Sequence, residues 1–330
     1  MAKIKTLKQA GEVVYPRTTA KAVFSSDGKD MEALVEDVKD TTDAAGAEVA
    51  ALRQQLRMPG DPYDGVDLTV KFATEIAGYA NPWEWIKARI KAGNFSKLHV
   101  GDYIPVTCTN NSKFNARIGG INTYKGYSDT AIGNHIDFIS ASLWRPGFKI
   151  NLVDFNNGYD ADHAYPWLCS NGYAFLNSLK MNVPNATGNK PETVEVDYTE
   201  NGVYNFLPDA LKAVIVEKRI LLPKRFAESG IQFNDSGTGW ANIGKLWLPS
   251  EVEVVGMKVW GDTGHGVAGF VQYPLFANNM NRMIDRDYWW TISTYAGSTR
   301  HFVDINRYGY AGIGTASDEG RAPVCFRIGG

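Results

Sequence analysis

Between positions 29 and 58, Met31, Val35, Val38, Thr42, Ala45, Val49, Leu52 and Leu56 stand alternately four and three residues apart. That alternation of four and three residues is the a/d register of a coiled coil, and the flanking positions are Glu, Asp, Lys, Arg and Gln. Asp30 is placed to cap the start, and Pro59-Gly60 stops the helix. The stripe is narrow, so it predicts a self-associating oligomerisation helix over 29–58, roughly 40 Å long at the α-helical rise. Thr42, Ala45 and Gly46 weaken its middle.

Before this helix, residues 1–28 carry short alternating stretches broken by Pro16 and Gly28. They predict small strands and turns, too few to fold alone, and so an attachment segment. Residues 59–80, punctuated by Gly, Pro and Asp, read as a linker.

From residue 81 to 330 the pattern is that of one α+β domain. "NPWEWIKARIKAG" predicts a helix with Pro82 in its first turn, Trp83, Ile86 and Ile90 on one face, and Gly93 at its end. "LHVGDYIPVTC" and "FNARIGGINTY" predict strands. "YAFLNSLKMNV" and "FLPDALKAVIVEKRILLP" read as helical, and "KLWLPSEVEVVG" as a buried segment followed by a polar turn. Near the end, strands are expected around Val303–Tyr308, past the Gly309 turn, and over Val324–Ile328. In the last, Val324, Phe326 and Ile328 alternate with Cys325 and Arg327, as in a half-buried strand.

Composition narrows the chemistry. The net charge of −2 gives no electrostatic preference for nucleic acid or an anionic membrane surface. Cys108, Cys169 and Cys325 are an odd set without CxxC spacing, which argues against a disulfide scaffold or zinc site and for buried free thiols. His99, His135, His163, His265 and His301 are isolated, and no HExxH or GxSxG motif occurs. Asp160, Asp162 and His163 in "NNGYDADHAYPW" suit either a calcium loop or a surface loop with Asx turns. Glu251 and Glu253, if on a strand, would share a face and suit a salt bridge as well as catalysis. No catalytic residue, metal ligand or cofactor is therefore assigned.

The order "PWEWIKARIKAG…VGDYIPV", "YPWLCSNGYAFLNSL", "FLPDALKAVIV", "KLWLPSEVEVVG", "YWWTIS" and "GRAPVCFRI" resembles the DUF6273 family of domains over residues 81–330. The resemblance implies a C-type-lectin-like fold, related in shape to formylglycine-generating enzymes and common in tailed phages. The start of the chain resembles the N-termini of phage tail-fibre proteins, which implies that the 29–58 helix trimerises. In some relatives the C-terminal stretch is the variable region of a diversity-generating retroelement. The implied protein is a receptor-binding adhesin of the virion tail, made in the host cytoplasm and bound to phage tail or baseplate proteins. Its implied target is a host-surface protein or glycan. A structural virion decoration protein and a surface-glycan depolymerase are the alternatives.

The tail itself points the same way. Trp289 and Trp290 are adjacent and should face opposite sides of a strand, one of them core. The expected receptor-binding set is Trp290, Thr291, Ser293, Tyr295, Ser298, Arg300, His301, Asp304, Asn306, Arg307, Tyr308 and Tyr310. Tyr, Ser, Asn and Arg among glycines are what adaptable binding surfaces use. "DYWW" and "RAPVCFRI" would anchor this set from either side.

Overall fold

A computed structural model describes residues 7–9, 12–14, 38–39, 42, 65–188, 191–226, 237–261 and 271–330. The chain divides into two compact units, Met1–Leu56 and Arg57–Gly330. In the first, β1 (Leu7–Gln9) and β2 (Glu12–Val14) pair antiparallel, with Leu7 opposite Val14. Val38, Lys39 and Thr42 are helical, and the Thr42 hydroxyl donates to the Val38 carbonyl at 2.7 Å. The other heptad positions, Met31, Val35, Ala45, Val49, Leu52 and Leu56, lie outside the described residues.

The second unit is α+β with mostly antiparallel sheets. From residue 65 the stretch expected to be a linker is folded. Asp67 caps α1 (Leu68–Lys71) by accepting from the Thr69 N–H at 2.8 Å, and α2 (Ala73–Ile76) follows. Leu68 and Phe72, one helical turn apart, are both buried in the core. Helix α3 (Pro82–Lys91) starts where Asn81 accepts from the Trp83 and Glu84 N–H groups at 2.9 and 3.0 Å. Its expected stripe of Trp83, Ile86 and Ile90 is buried.

Strands β3 (Tyr103–Thr107), β4 (Lys113–Ile121) and β5 (His135–Leu143) form an antiparallel meander. A short strand β6 (Phe148–Lys149) follows. Helix α4 (Asn171–Asn177) is capped by Ser170 and ends at Ser178, whose φ of 56° is left-handed. The chain then turns into the hairpin of β7 (Lys180–Pro184) and β8 (Thr193–Asp197), so "YAFLNSLKMNV" is half helix and half strand.

"FLPDALKAVIVEKRILLP" departs further from its helical expectation. After α5 (Val203–Phe206), only α6 (Asp209–Lys212) is helical within it. The rest forms β9 (Ile215–Val216) and β10 (Arg219–Pro223). Branched Val214, Ile215, Val216 and Ile220 favour extended backbone, and partners are present: Ile215 lies opposite Ile328, and β10 pairs with β11 (Thr238–Asn242).

"KLWLPSEVEVVG" gives β12 (Leu246–Trp247) and a short helix, α7 (Glu251–Val255). The Ser250 and Glu253 side chains form a reciprocal capping box, so the two glutamates sit on a helix and not on a strand. Three strands follow, β13 (Trp289–Thr294), β14 (His301–Ile305) and β15 (Ala311–Thr315), then β16 (Glu319–Gly320) and β17 (Pro323–Gly329).

The main sheet runs β12–β17–β5–β4–β3, with β9 also beside β17, and it curls into a half-barrel. The last strand is thus interior. Phe326 stacks on Phe138, and both meet Trp83 of α3 edge-on. The half-buried expectation for this strand fails, because Cys325 and Arg327 are buried too. Their face is covered by Tyr124, which lies under the Arg327 guanidinium, and by Lys218, which lies over the rings of Tyr124 and of Trp247, the neighbour of Cys325 on β12. No helix among the described residues is long and apolar enough to cross a membrane.

Candidate functional site

Strands β13, β14 and β15 make a separate antiparallel sheet, and its register builds a pocket. Trp290 lies opposite Asp304, and Asp304 lies opposite Gly312, so the three form one row across the sheet. Gly314 sits two residues on, on the same side as Gly312. Alternating glycines leave that side of β15 without side chains. A Cβ at position 312 would stand 2.4 Å from Asp304 Oδ1, and one at 314 would stand 2.4 Å from Trp290 Cη2. Gly320 of β16 approaches the same indole, with a hypothetical Cβ 2.3 Å from Nε1.

The resulting cavity has a volume of about 400 Å³ and is bordered by Tyr288, Trp290, Asp304, Gly314, Glu319 and Arg321, among others. Two of its polar groups are unmatched. Trp290 is 3% exposed and Asp304 8%, and among the described residues the Trp290 Nε1–H has no acceptor and Asp304 Oδ1 no donor. Burial raises the Asp304 carboxyl to about 6. Both atoms are sealed from solvent, Nε1 against the backbone of Gly320 and Oδ1 against that of Gly312. Arg321 pairs with Asp287, and Tyr288 is 45% exposed at the rim.

The other expected binding residues divide into three groups. Thr291 is fully buried and donates to the Val303 carbonyl at 2.7 Å, and Ser293 Oγ accepts from the Glu251 N–H at 2.9 Å. These two tie the sheet to α7 and to itself. A second group occupies the turn between β13 and β14. The Tyr295 ring meets Trp260 and His301 edge-on, each at 6.0 Å. Ser298 Oγ lies 2.9 Å from His301 Nδ1, and Arg300 pairs with Asp154 at 2.5 Å.

The third group is the turn between β14 and β15. Asn306 Oδ1 accepts from the N–H groups of Tyr308 and Tyr310 at 2.9 and 3.2 Å, which turns both rings out; they are 60% and 62% exposed. The Arg307 guanidinium lies 5.6 Å from the Tyr288 ring and 5.9 Å from the Tyr308 ring, linking this turn to the pocket rim. Of the expected set, only Trp290 and Asp304 line the cavity. The part played by Tyr288, Gly314, Glu319 and Arg321 was not read from sequence. The available signal was the "GIG" of β15, since alternate glycines in a strand mark a close approach.

A second polar cluster is sealed inside the main unit. Lys218 Nζ pairs with Glu253 and lies 3.8 Å from the centre of the Trp247 ring; Tyr124 donates to the same carboxylate. Tyr273 donates to Asp137 at 2.9 Å. Burial lowers the Lys218 ammonium despite Glu253, and burial together with Glu253 pushes the Tyr124 hydroxyl well up. Lys218, Glu253, Tyr124, Tyr273 and Asp137 are completely buried, with two acids balancing Lys218 and Arg327. A cluster closed to solvent holds the layers together and admits no substrate.

The remaining candidates resolve locally. Asp160 Oδ1 accepts from the His163 N–H, three residues on, at 2.7 Å, so the loop is closed by a local side-chain-to-backbone bond. Glu251 accepts from the N–H groups of Trp260 and Gly261 at 2.9 and 2.8 Å. Cys108, Cys169 and Cys325 are free and buried; burial raises the first two thiols to about 11 and about 12. Among the described residues, no group of three His, Cys, Asp or Glu side chains is placed to hold a metal ion. No known family, no curated protein and no solved structure matches this chain.

Proposed function

We propose that this chain is a phage tail-fibre receptor-binding protein whose C-terminal sheet contacts the host surface. The reading includes a C-type-lectin-like frame for the second unit, a trimerising helix over 29–58 and an attachment role for residues 1–28. One observation carries it. The "YWWTIS…GIGT" segment builds a small sheet with a polar pocket, flanked by the exposed rings of Tyr288, Tyr308 and Tyr310. Large exposed aromatics on a turn held by Asn306 offer contact area at little conformational cost. Three tethered copies would convert weak contacts into avid ones.

The test is labelling of bacterial cells with the fluorescent full-length chain across a strain panel. The reading expects strain-selective labelling that is lost when Tyr295, Tyr308 and Tyr310 are replaced together by Ala. Equal labelling by wild type and triple variant, or none on any strain, removes it. Light scattering at micromolar concentration should give the mass of a trimer; a monomer removes the coiled coil.

A further inference from the structure

One face of the main sheet is closed at its centre and open towards its β3 edge. Cys325, Ile139, Arg117 and Tyr103 stand opposite one another in a single row across β17, β5, β4 and β3. Cys325 and Ile139 are fully buried, whereas Arg117 and Tyr103 are half-buried. Farther along the same face, Asn115 lies opposite Pro105 and Lys113 opposite Thr107. Lys113, Pro105 and Thr107 are exposed, while the intervening Ile104, Val106, Phe114 and Ala116 are buried on the core side. The cover over Cys325 therefore stops at Arg117.

Three adjoining cavities of about 130, 350 and 300 Å³ follow this open face. The first two share Asn115 and Ala141, and the last two share Lys113 and Ser142, so they form one groove from Arg117 to Arg145. Its charge is one-sided. Arg117, Lys113 and Arg145 line it against one acid, Asp285. That acid is engaged, accepting from the Leu143 N–H at 3.0 Å and lying 3.8 Å from Arg145. Arg117 and Lys113 form no ion pair among the described residues. Arg117 donates to two neutral oxygens, the Ser140 carbonyl at 3.2 Å and Asn281 Oδ1 at 3.5 Å. Burial lowers its guanidinium to about 10, and an anion beside it would oppose that effect.

Two cations without an acid partner draw an anion. They are four residues apart on β4, roughly 13 Å between Cα atoms, so a chain carrying anionic groups at intervals engages both. The lining selects the kind of chain. Thr107, Ser112, Asn115 and Ser142 present hydroxyl and amide groups suited to sugar hydroxyls. The apolar residues along the groove, Val106, Phe114 and Leu143, are at most 7% exposed, which leaves little surface for the apolar side chains of a peptide. We propose that the open face of β3 and β4 binds an acidic polysaccharide, with anionic groups at Arg117 and Lys113. This site goes beyond the adhesin reading, which concerns the β13–β15 sheet, and stands apart from it.

The test is binding of fluorescently labelled oligomers of galacturonate, mannuronate and hyaluronan to the full chain, followed by polarisation at low and at physiological salt. At least one should bind saturably, and more weakly as salt rises. Fully methyl-esterified oligogalacturonate, the same backbone without its charge, should not bind. Lys113→Glu, at an exposed position in an intact fold, should weaken binding at least about tenfold by reversing the charge. Arg117→Gln should weaken it about tenfold or more, as expected for a lost hydrogen bond between charged groups. The variant with Ala at Tyr295, Tyr308 and Tyr310 should bind the oligomers as wild type does.

No binding of any of the three acids, equal binding of the methyl ester, or unchanged binding by Lys113→Glu overturns the assignment. So does binding of oligoglutamate alone, which would mark a peptide groove. A lower mass of the free chain on Lys113→Glu also overturns it, since the face would then be a contact between copies. Cell labelling separates the two readings: acid oligomers bound by a chain that labels no strain would leave this site standing and remove the adhesin.

Discussion

Asp137 of β5 and Arg327 of β17 face each other across the middle of the main sheet. The carboxylate accepts from Nε at 2.6 Å and from Nη2 at 2.8 Å. Both side chains are buried, so each charge depends on the other. Arg327→Met should cost roughly 3–5 kcal/mol in urea unfolding, because it strands a buried carboxylate. Replacing both partners with apolar residues should cost distinctly less, and equal losses would mean that the two do not act as a pair.

The same pair sets a response to acid. Burial pushes the Asp137 carboxyl up, but the Arg327 guanidinium overrides it and holds it at about 2. A carboxylate depressed in the folded state stabilises above its unfolded pKa of about 4. That contribution should disappear as pH falls through 4 towards 2, and the loss should be absent from the doubly apolar variant. Thermal unfolding between pH 2 and 5 measures it.

Asp304 carries the opposite sign. Its folded value of about 6 lies above the ordinary carboxylate range, so ionisation destabilises the fold as pH rises from about 4 through 6. Asp304→Asn should therefore stabilise the unliganded chain by up to roughly 3 kcal/mol at pH 7–8, with little effect at pH 4. The same gain at both pH values would show that the carboxylate charge is not the cause.

Gly314→Ala tests the pocket geometry. The added methyl meets Trp290 Cη2, so the ring or the strand must move. The expected cost is about 1–3 kcal/mol, with a shifted indole emission. Unchanged stability and emission would place Trp290 away from β15.

Tyr308 and Tyr310 should behave differently from Thr291. Both tyrosines are exposed, and their replacement by Ala should leave stability within about 0.5 kcal/mol while reducing cell labelling. Thr291→Val removes the donor to the Val303 carbonyl in a dry environment and should cost on the order of 1 kcal/mol. Equal stability losses at all three positions would contradict this division.

Some features were legible because they depend only on neighbours in sequence. Asn81, Pro82 and the stripe of Trp83, Ile86 and Ile90 specify α3 through capping and helical periodicity. Glycine at 309 and alternation around it specify the β14–β15 hairpin. The "AVIV…RILL" stretch misled because its apolar spacing suits a helix, while its branched residues suit a strand. Ile328 and β11 were there to accept it as strand.

What the sequence by itself determined was the α+β class, the cap and stripe of α3 and the contact-rich character of the tail. All three follow from periodicity and residue type within a few turns of chain. The tertiary structure alone decided that the last strand is interior, because only packing brings Asp137 of β5 against Arg327. It alone decided which tail residues are buried, since Thr291 and Tyr308 look equally polar in sequence but meet different neighbours. And it alone placed Trp290 opposite Asp304 beneath the glycines of β15, because cross-strand register is fixed by pairing between segments and not within any one of them.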